Sequence, residues 1–355
     1  MKNQTTKTIV LTGGGTAGHV TPHLTLLPSI QKQFQRVEYI GSKTGIEKQL
    51  ITTIPYHGIT TCKLVRKKFF KNLLIPFQLA KGTHQAKKLL KQIKPNVIFS
   101  KGGYVSLPVV RAAKKLKIPV IAHESDKTPG LANKLTSKHC KIVFTSFKDT
   151  AQKIKNGVYS GPPLPPPKNL TQAQAKQILG IQTTKPVLLV TGGSLGAQAL
   201  NQAVTNALYQ LTQKYFVYHV TGKGNTNQIQ NPSYKQVEFE TQMPIVMRAA
   251  SLALTRGGSN TIFELANNLV PMLIVPLPKG NSRGDQIQNA AYFASNGFSS
   301  TLLQNNLNPT SLTNALNQLS QNSAQIKSNQ KQIQNNNACQ TILNALVSQA
   351  TSSFT

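Results

Sequence analysis

The chain has 355 residues, 39% of them apolar, enough for two domains of ordinary size with proper cores. No window approaches the roughly 18 consecutive apolar residues of a spanning helix. The polar start at residues 1–7 leads into too short an apolar run for a signal peptide, and Cys62, Cys140 and Cys339 form neither a metal spacing nor an even disulfide framework. A reduced, cytoplasmic protein is expected, with a net charge of +31 that reflects 40 basic residues against only 9 acidic ones.

The positive field sits mainly in the first half, where residues 1–165 hold 28 basic and 5 acidic side chains. Phosphorylated substrates or anionic lipid fit such a field. Nucleic acid is not expected, because the chain has no helix-turn-helix, zinc-finger or aromatic RNA-binding signature and no Trp.

The first predicted strand, 8–12, runs into Gly13-Gly14-Gly15-Thr16-Ala17-Gly18-His19 and a helix start at Pro22. Glycines allow positive φ and close approach to a ligand, and the amides of a helix N-terminus favour an anion. Gly13-x-Gly15-x-x-Gly18 with Glu38 twenty residues on has the spacing of a dinucleotide fingerprint. Glu38, however, falls near the start of the next strand, 37–41, whose carboxyl end at Gly41-Ser42 offers no carboxylate. A dehydrogenase is therefore disfavoured.

Between residues 48 and 123 there is no acid. Within this span, residues 63–77 interleave five basic residues with Phe, Leu and Ile, and Lys67, Lys68, Phe69, Phe70, Lys71, Leu74, Ile75 and Phe77 suit an anionic bilayer surface. At about 1 kcal/mol per basic residue, five supply roughly 5 kcal/mol before any apolar insertion. Pro76 is expected to break any long core helix there.

After a helical pattern at 78–91, a predicted strand at 97–100 leads into Lys101-Gly102-Gly103-Tyr104, and a second helical pattern follows at 107–116. The strand 120–123 ends in His123-Glu124-Ser125-Asp126-Lys127 and then Pro129-Gly130-Leu131-Ala132-Asn133, so chemistry-bearing side chains stand where ligands bind in open parallel sheets. After a strand at 142–146, the run Gly161-Pro162-Pro163-Leu164-Pro165-Pro166-Pro167 reads as a stiff linker. Strands are then expected at 187–191, 216–221, 237–240, 252–255 and 272–276. The first of these enters a second glycine turn, Gly192-Gly193-Ser194-Leu195-Gly196. The fourth leads into Arg256-Gly257-Gly258-Ser259 and a helix carrying Glu264, placed to accept hydrogen bonds from two vicinal ribose hydroxyls. The last is followed by Asp285-Gln286. Although rich in Asn, Gln and Ser, the last fifty residues keep helical spacing at Leu312, Leu316 and Leu319 and again at Ile342, Leu343 and Leu346. Alternating strands and helices predict parallel sheets covered on both faces, in two lobes.

Taken in order, residues 13–22, 102–106, 123–133, 192–197, 256–264 and 285–290 resemble the MurG family, the UDP-GlcNAc:undecaprenyl-diphospho-muramoyl-pentapeptide N-acetylglucosaminyltransferases. The resemblance runs from about residue 8 to 300. It implies an α/β GT-B glycosyltransferase fold, two Rossmann-like lobes with parallel sheets and a cleft between them. The expected division is 1–161 for an acceptor- and membrane-binding lobe, 162–167 for the linker, 168–335 for a UDP-GlcNAc-binding lobe and 336–355 for a C-terminal helix returning to the first lobe. The implied activity moves GlcNAc from UDP-GlcNAc to the C4 hydroxyl of lipid I, giving lipid II, with inversion. The implied location is peripheral, on the cytoplasmic face of the bacterial inner membrane.

By resemblance, Thr16, Ala17, Gly18, Asp126, Ser194, Ser259, Asn260, Thr261, Ile262, Phe263, Glu264 and Gln286 contact the donor, with Glu264 on the ribose and Gln286 on the GlcNAc hydroxyls. Gly14, Gly15, Gly103 and Tyr104 would receive the acceptor diphosphate. Asp126 stands where the family has Asn, Leu195 where it has Gln, Pro165 where it often has a donor-contacting Arg, and Glu240 where it has an apolar residue on the uracil. His19 is the first candidate base and Glu124 the second. No Asp-x-Asp occurs, so no metal and no cofactor is expected, and helix N-termini would take the diphosphate charge. Alternatives are another GT-B glycolipid synthase, such as one acting on diacylglycerol, and an inactive sugar-nucleotide binder at the membrane surface. No protein partner is indicated.

Overall fold

A computed structural model of the chain describes residues 7–63, 74–193, 196–280, 283–334 and 336–352. They form two compact units, one of residues 1–164 with 337–355, the other of residues 165–336, and the change falls inside the proline run, between Leu164 and Pro165.

The first unit is built on seven parallel strands: β1 (Thr8–Thr12), β2 (Arg36–Ser42), β3 (Tyr56–Ile59), β4 (Val97–Ser100), β5 (Val120–Glu124), β6 (Ile142–Thr145) and β7 (Gly157–Tyr159). Their order is β3-β2-β1-β4-β5-β6-β7. Successive side chains alternate between faces. Ile9 and Leu11 join Tyr39, Phe99 and Ile121 against Leu26 and Ile30 of the helix Thr21–Gln33 and against Ile342, Leu343 and Leu346 of the helix Ala338–Ser352. Val10, Ile40, Ile98 and Ala122 face the opposite layer, the helices Ile75–Ile93 and Ser106–Lys115. Pro76 does not break the first of these. It lies in the first turn, where a missing N–H costs nothing, and the helix runs on for nineteen residues.

The second unit repeats the plan with β8 (Val187–Thr191), β9 (Phe216–Val220), β10 (Tyr234–Val237), β11 (Leu252–Thr255), β12 (Met272–Ile274) and β13 (Ser300–Thr301), all parallel, ordered β10-β9-β8-β11-β12-β13. Leu188, Val190, Leu252 and Leu254 pack under Leu312, Leu316 and Leu319 of the helix Pro309–Gln321. Its Asn/Gln-rich follower, Ser323–Gln334, is fastened by polar side chains. Buried Gln330 donates to Val270 O at 3.1 Å and Phe298 O at 2.9 Å, and Gln334 donates to Asn267 O at 2.7 Å.

In each sheet the chain winds outward one way from the first strand, then returns to wind the other way. The reversal falls between β1 and β4 in one unit and between β8 and β11 in the other. In open parallel sheets ligands bind at the carboxyl ends of strand pairs where the winding reverses.

Candidate active site

In the first unit both glycine turns meet at the reversal. Gly15 has φ +87° and Gly103 φ +75°. A Cβ on Gly103 would stand 2.2 Å from Gly14 O, and one on Gly15 would stand 2.4 Å from the Tyr104 ring. The turns 13–19 and 102–104 are therefore packed backbone to backbone, and no side chain fits at the crossing.

Glu47, a buried carboxylate in the short helix Ile46–Leu50, braces them. It accepts from Gly15 N at 3.1 Å, from Ser42 N at 3.0 Å and from Ser42 Oγ. So a carboxylate does stand beyond Gly41-Ser42, contrary to the sequence expectation, but it holds the loop's own amides. Glu38 is the third residue of β2, buried and paired with Arg36 and with His57 at 2.6 Å, away from the carboxyl end.

His19 closes the short 3-10 turn Ala17–His19, half-buried, with Nδ1 2.9 Å from Thr16 Oγ1. Thr16 is exposed, and Ala17 and Gly18 are half-buried. The neighbouring His23 differs from His19. It is buried against Tyr39 and Phe99, its Nε2 lies 3.1 Å from Thr12 O, and burial pushes it down to about 3, so it is a neutral core histidine.

Glu124 ends β5. Its carboxylate accepts from Asp126 N (3.0 Å), Gly130 N (2.8 Å) and Asn133 Nδ2 (2.8 Å), while burial and the charge of Asp126 push its pKa up. Both oxygens of Glu124, the second candidate base, are engaged in holding the 124–130 loop in shape. Asp126 is half-buried on the same loop.

In the second unit, the turn after β8 has Gly193 at φ +89° with open space around its Cβ position. At Gly196 (φ +74°) a Cβ would meet Thr221 O at 2.2 Å. Ser194 and Leu195 lie outside the described residues. The helix Ser259–Asn267 follows β11. Its N-cap, Gly258, supplies no side-chain cap, and a Cβ on Gly258 would meet nothing within 4 Å. The first-turn amides thus point at an uncrowded surface, the setting in which a phosphate is bound.

Ile262 and Phe263 were expected to touch the donor. Their side chains are instead core, Phe263 packing edge-on to Phe293 at 4.9 Å, so only their backbone is available to a ligand. Ser259 is buried as well, whereas Asn260 and Thr261 are half-buried.

Glu264 is the sixth residue of this helix, past the first turn, and its carboxylate has no hydrogen-bond or ionic partner among the described residues. Desolvation raises it from 4.5 to about 7. A carboxylate left in this condition by its own fold is set to receive hydroxyl donors from a ligand. Gln286, in the first turn of the helix Asp285–Ser295, has Oε1 held by Leu277 N at 3.1 Å, which orients its amide Nε2 as donor. Glu240 is also engaged, accepting from Tyr218 OH and from Gln242 N at 2.6 Å. Arg256, buried before the glycine pair, donates to Val275 O at 3.0 Å, and its Nε has no partner among the described residues. No group of three or more His, Cys, Asp or Glu side chains among the described residues can hold a metal ion.

Of the bilayer-facing stretch, Lys67, Lys68, Phe69, Phe70 and Lys71 lie outside the described residues. Leu74 is 58% and Phe77 74% exposed, Ile75 is half-buried, and Lys81, His84 and Lys88 continue the Phe77 face of the helix Ile75–Ile93 without an acid. Among the described residues no helix is long and apolar enough to cross a membrane.

Residues 9–145 match the glycosyltransferase family 28 N-terminal domain and residues 187–344 its C-terminal domain. The UDP-N-acetylglucosamine--N-acetylmuramyl-(pentapeptide) pyrophosphoryl-undecaprenol N-acetylglucosamine transferase of Clostridium tetani is 43% identical over 92% of this chain and 93% of its own. That of Clostridium novyi is 42% identical over 93% of both. The crystal structure of Acinetobacter baumannii MurG superposes with a TM-score of 0.75 at 25% identity, covering 96% of this chain and 99% of that one. With both its domains matched and such relatives along nearly its whole length, the chain belongs to glycosyltransferase family 28 and, within it, to the MurG family.

Proposed function

We propose that the protein transfers N-acetylglucosamine from UDP-N-acetylglucosamine to the C4 hydroxyl of lipid I, forming lipid II with inversion at the anomeric carbon. The observation that carries this reading is Glu264, a desolvated carboxylate without a partner among the described residues, one and a half turns beyond a helix N-terminus with no side-chain cap. A ribose diol on the carboxylate and a diphosphate toward the amides of Ser259–Thr261 fit a nucleoside diphosphate sugar. Gln286 then presents its Nε2 to a sugar hydroxyl oxygen.

The first unit binds the acceptor. Gly14, Gly15, Gly103 and Tyr104 offer the diphosphate of lipid I two abutting turns braced from below by Glu47. His19 removes the proton of the attacking hydroxyl. Thr16 Oγ1, 2.9 Å from Nδ1, orients the imidazole. The leaving UDP is stabilised by helix N-terminal amides. Leu74 and Phe77, with the basic residues beside them, seat the enzyme peripherally on the anionic cytoplasmic face of the inner membrane, where its acceptor resides.

Radiolabelled transfer from UDP-GlcNAc separates the acceptors. Label is expected on a lipid I analogue and not on diacylglycerol, and His19→Ala should lower turnover roughly 100-fold or more with UDP affinity unchanged. Transfer to diacylglycerol, or to neither, overturns the assignment.

A further inference from the structure

Lys101 leaves the end of β4 and is 1% exposed. Its backbone N–H donates to Thr12 O at 2.9 Å, and its Cβ lies 3.1 Å from where a Cβ on Gly13 would stand, so the residue is packed against the first glycine turn. The amine reaches the end of β5. Nζ donates to His123 Nδ1 at 2.5 Å and to Ser125 Oγ at 2.7 Å. It makes no ion pair with a carboxylate among the described residues. A fully buried amine at the reversal point of the sheet, held by two neutral acceptors, is costly to keep and has no stabilising ion pair to explain it.

We propose that Lys101 is the buried counter-charge for the diphosphate of the acceptor, acting from beneath the turns on which that group docks. The proposal rests on the acceptor reading of the first unit. The charged and titratable groups facing the amine are Glu124 and Asp126 from β5 and its loop, which favour the ammonium, and His123 of β5 and His23 of the helix Thr21–Gln33, both held neutral by burial. Desolvation outweighs the two carboxylates and brings Lys101 down to about 7. A diphosphate diester docking on the turns 13–19 and 102–104 adds negative charge that favours the ammonium form. Lys101 then takes a proton from solvent as the anion binds. Below about pH 7 the proton is already present and affinity is flat. Above it, each binding event must recruit one, and affinity falls by up to about tenfold per pH unit. Lys101 does not touch the ligand. It is a positioning residue, acting through its field and through its hold on Ser125.

The probe is a diphosphate diester of methanol and a short prenol, which has no ionisation of its own near neutrality. Titration calorimetry of the full chain at about pH 8, in buffers of different ionisation enthalpy, is expected to show uptake of close to one proton, with Kd rising several-fold from about pH 7 to pH 8. Lys101→Arg, which stays charged, and Lys101→Met, which cannot be, should both bind with heats independent of buffer. Should the Met variant fail to fold, the wild-type heats and the Arg variant still decide the matter. Wild-type heats that do not vary with buffer overturn the proposal. So does uptake that survives in either variant, since the titrating group would then be another. If the wild-type protein does not bind the probe at all, the acceptor reading itself fails, a result distinct from binding without proton uptake.

Discussion

Glu264→Gln is expected to make the protein more stable and worse at binding. The carboxylate ionises near 4.5 in the unfolded chain and at about 7 in the folded one. The folded value is the higher of the two, so the unfolded state loses its proton first as pH rises. The native state is thus penalised from about pH 4.5 upward, with the full cost present above about pH 7. That interval corresponds to at most about 3 kcal/mol. Residual solvent access at this half-buried side chain reduces it to about 1–2 kcal/mol. Gln carries no charge to desolvate. The variant should match wild type at about pH 4 and exceed it at about pH 8 by about 1–2 kcal/mol, or about 3–6 °C in Tm for a unit of roughly 170 residues. UDP affinity should fall about 10- to 100-fold, because hydroxyl donors lose a charged acceptor. Calorimetric unfolding at the two pH values and UDP titration measure both effects. No gain at high pH would show that the side chain is not desolvated, and unchanged UDP affinity would remove it from the site.

Three further experiments probe the rest of the assembly. Gly103→Ala places a Cβ 2.2 Å from Gly14 O at φ +75° and should cost about 2–3 kcal/mol, whereas Gly193→Ala, at φ +89° but with open space, should cost only about 1 kcal/mol; equal Tm losses would refute the close crossing. Glu47→Gln keeps the size but weakens the hold on Gly15 and Ser42, with an expected loss of about 1–3 kcal/mol and a higher KM for the lipid I analogue at unchanged UDP affinity. Leu74→Ser with Phe77→Ser should cut flotation with anionic vesicles more than tenfold while shifting unfolding by less than about 0.5 kcal/mol, since both side chains are exposed; undiminished flotation would disprove their insertion.

The glycine turns and central strands could be read from the sequence because their causes are local. A β-branched run entering consecutive glycines specifies both a buried parallel strand and its turn. The edges were less legible. β3, β7 and β13 are short, and β13 is only Ser300–Thr301, with no apolar run to mark it. β10 was expected at 237–240 but lies at Tyr234–Val237, because Glu238 and Glu240 serve as acceptors for Gly224 N, Gln242 N and Tyr218 OH beyond the strand. Within the site, Glu264 could be picked out by its place after a helix-opening glycine pair. Glu47 and Lys101 could not. Each is a charged residue whose burial depends on a partner distant in sequence, the turn at Gly15 for one and the end of β5 for the other. At Ile262 and Phe263 the motif position fixes a backbone location without saying which way the side chain turns, and both side chains enter the core.

The helix Ala338–Ser352 carries Ile342, Leu343 and Leu346 into the core of the first unit, although the whole second unit is synthesised in between. The amino-terminal sheet therefore leaves the ribosome with one apolar wall covered only in part, by the helix Thr21–Gln33, and completes the cover after residues 338–352 have emerged. Maturation of that half is thereby tied to completion of translation. A message truncated after the second unit would yield a protein with that unit intact and an aggregation-prone first unit, and a bulky tag fused close behind residue 352 would burden the half of the molecule farthest from it in sequence.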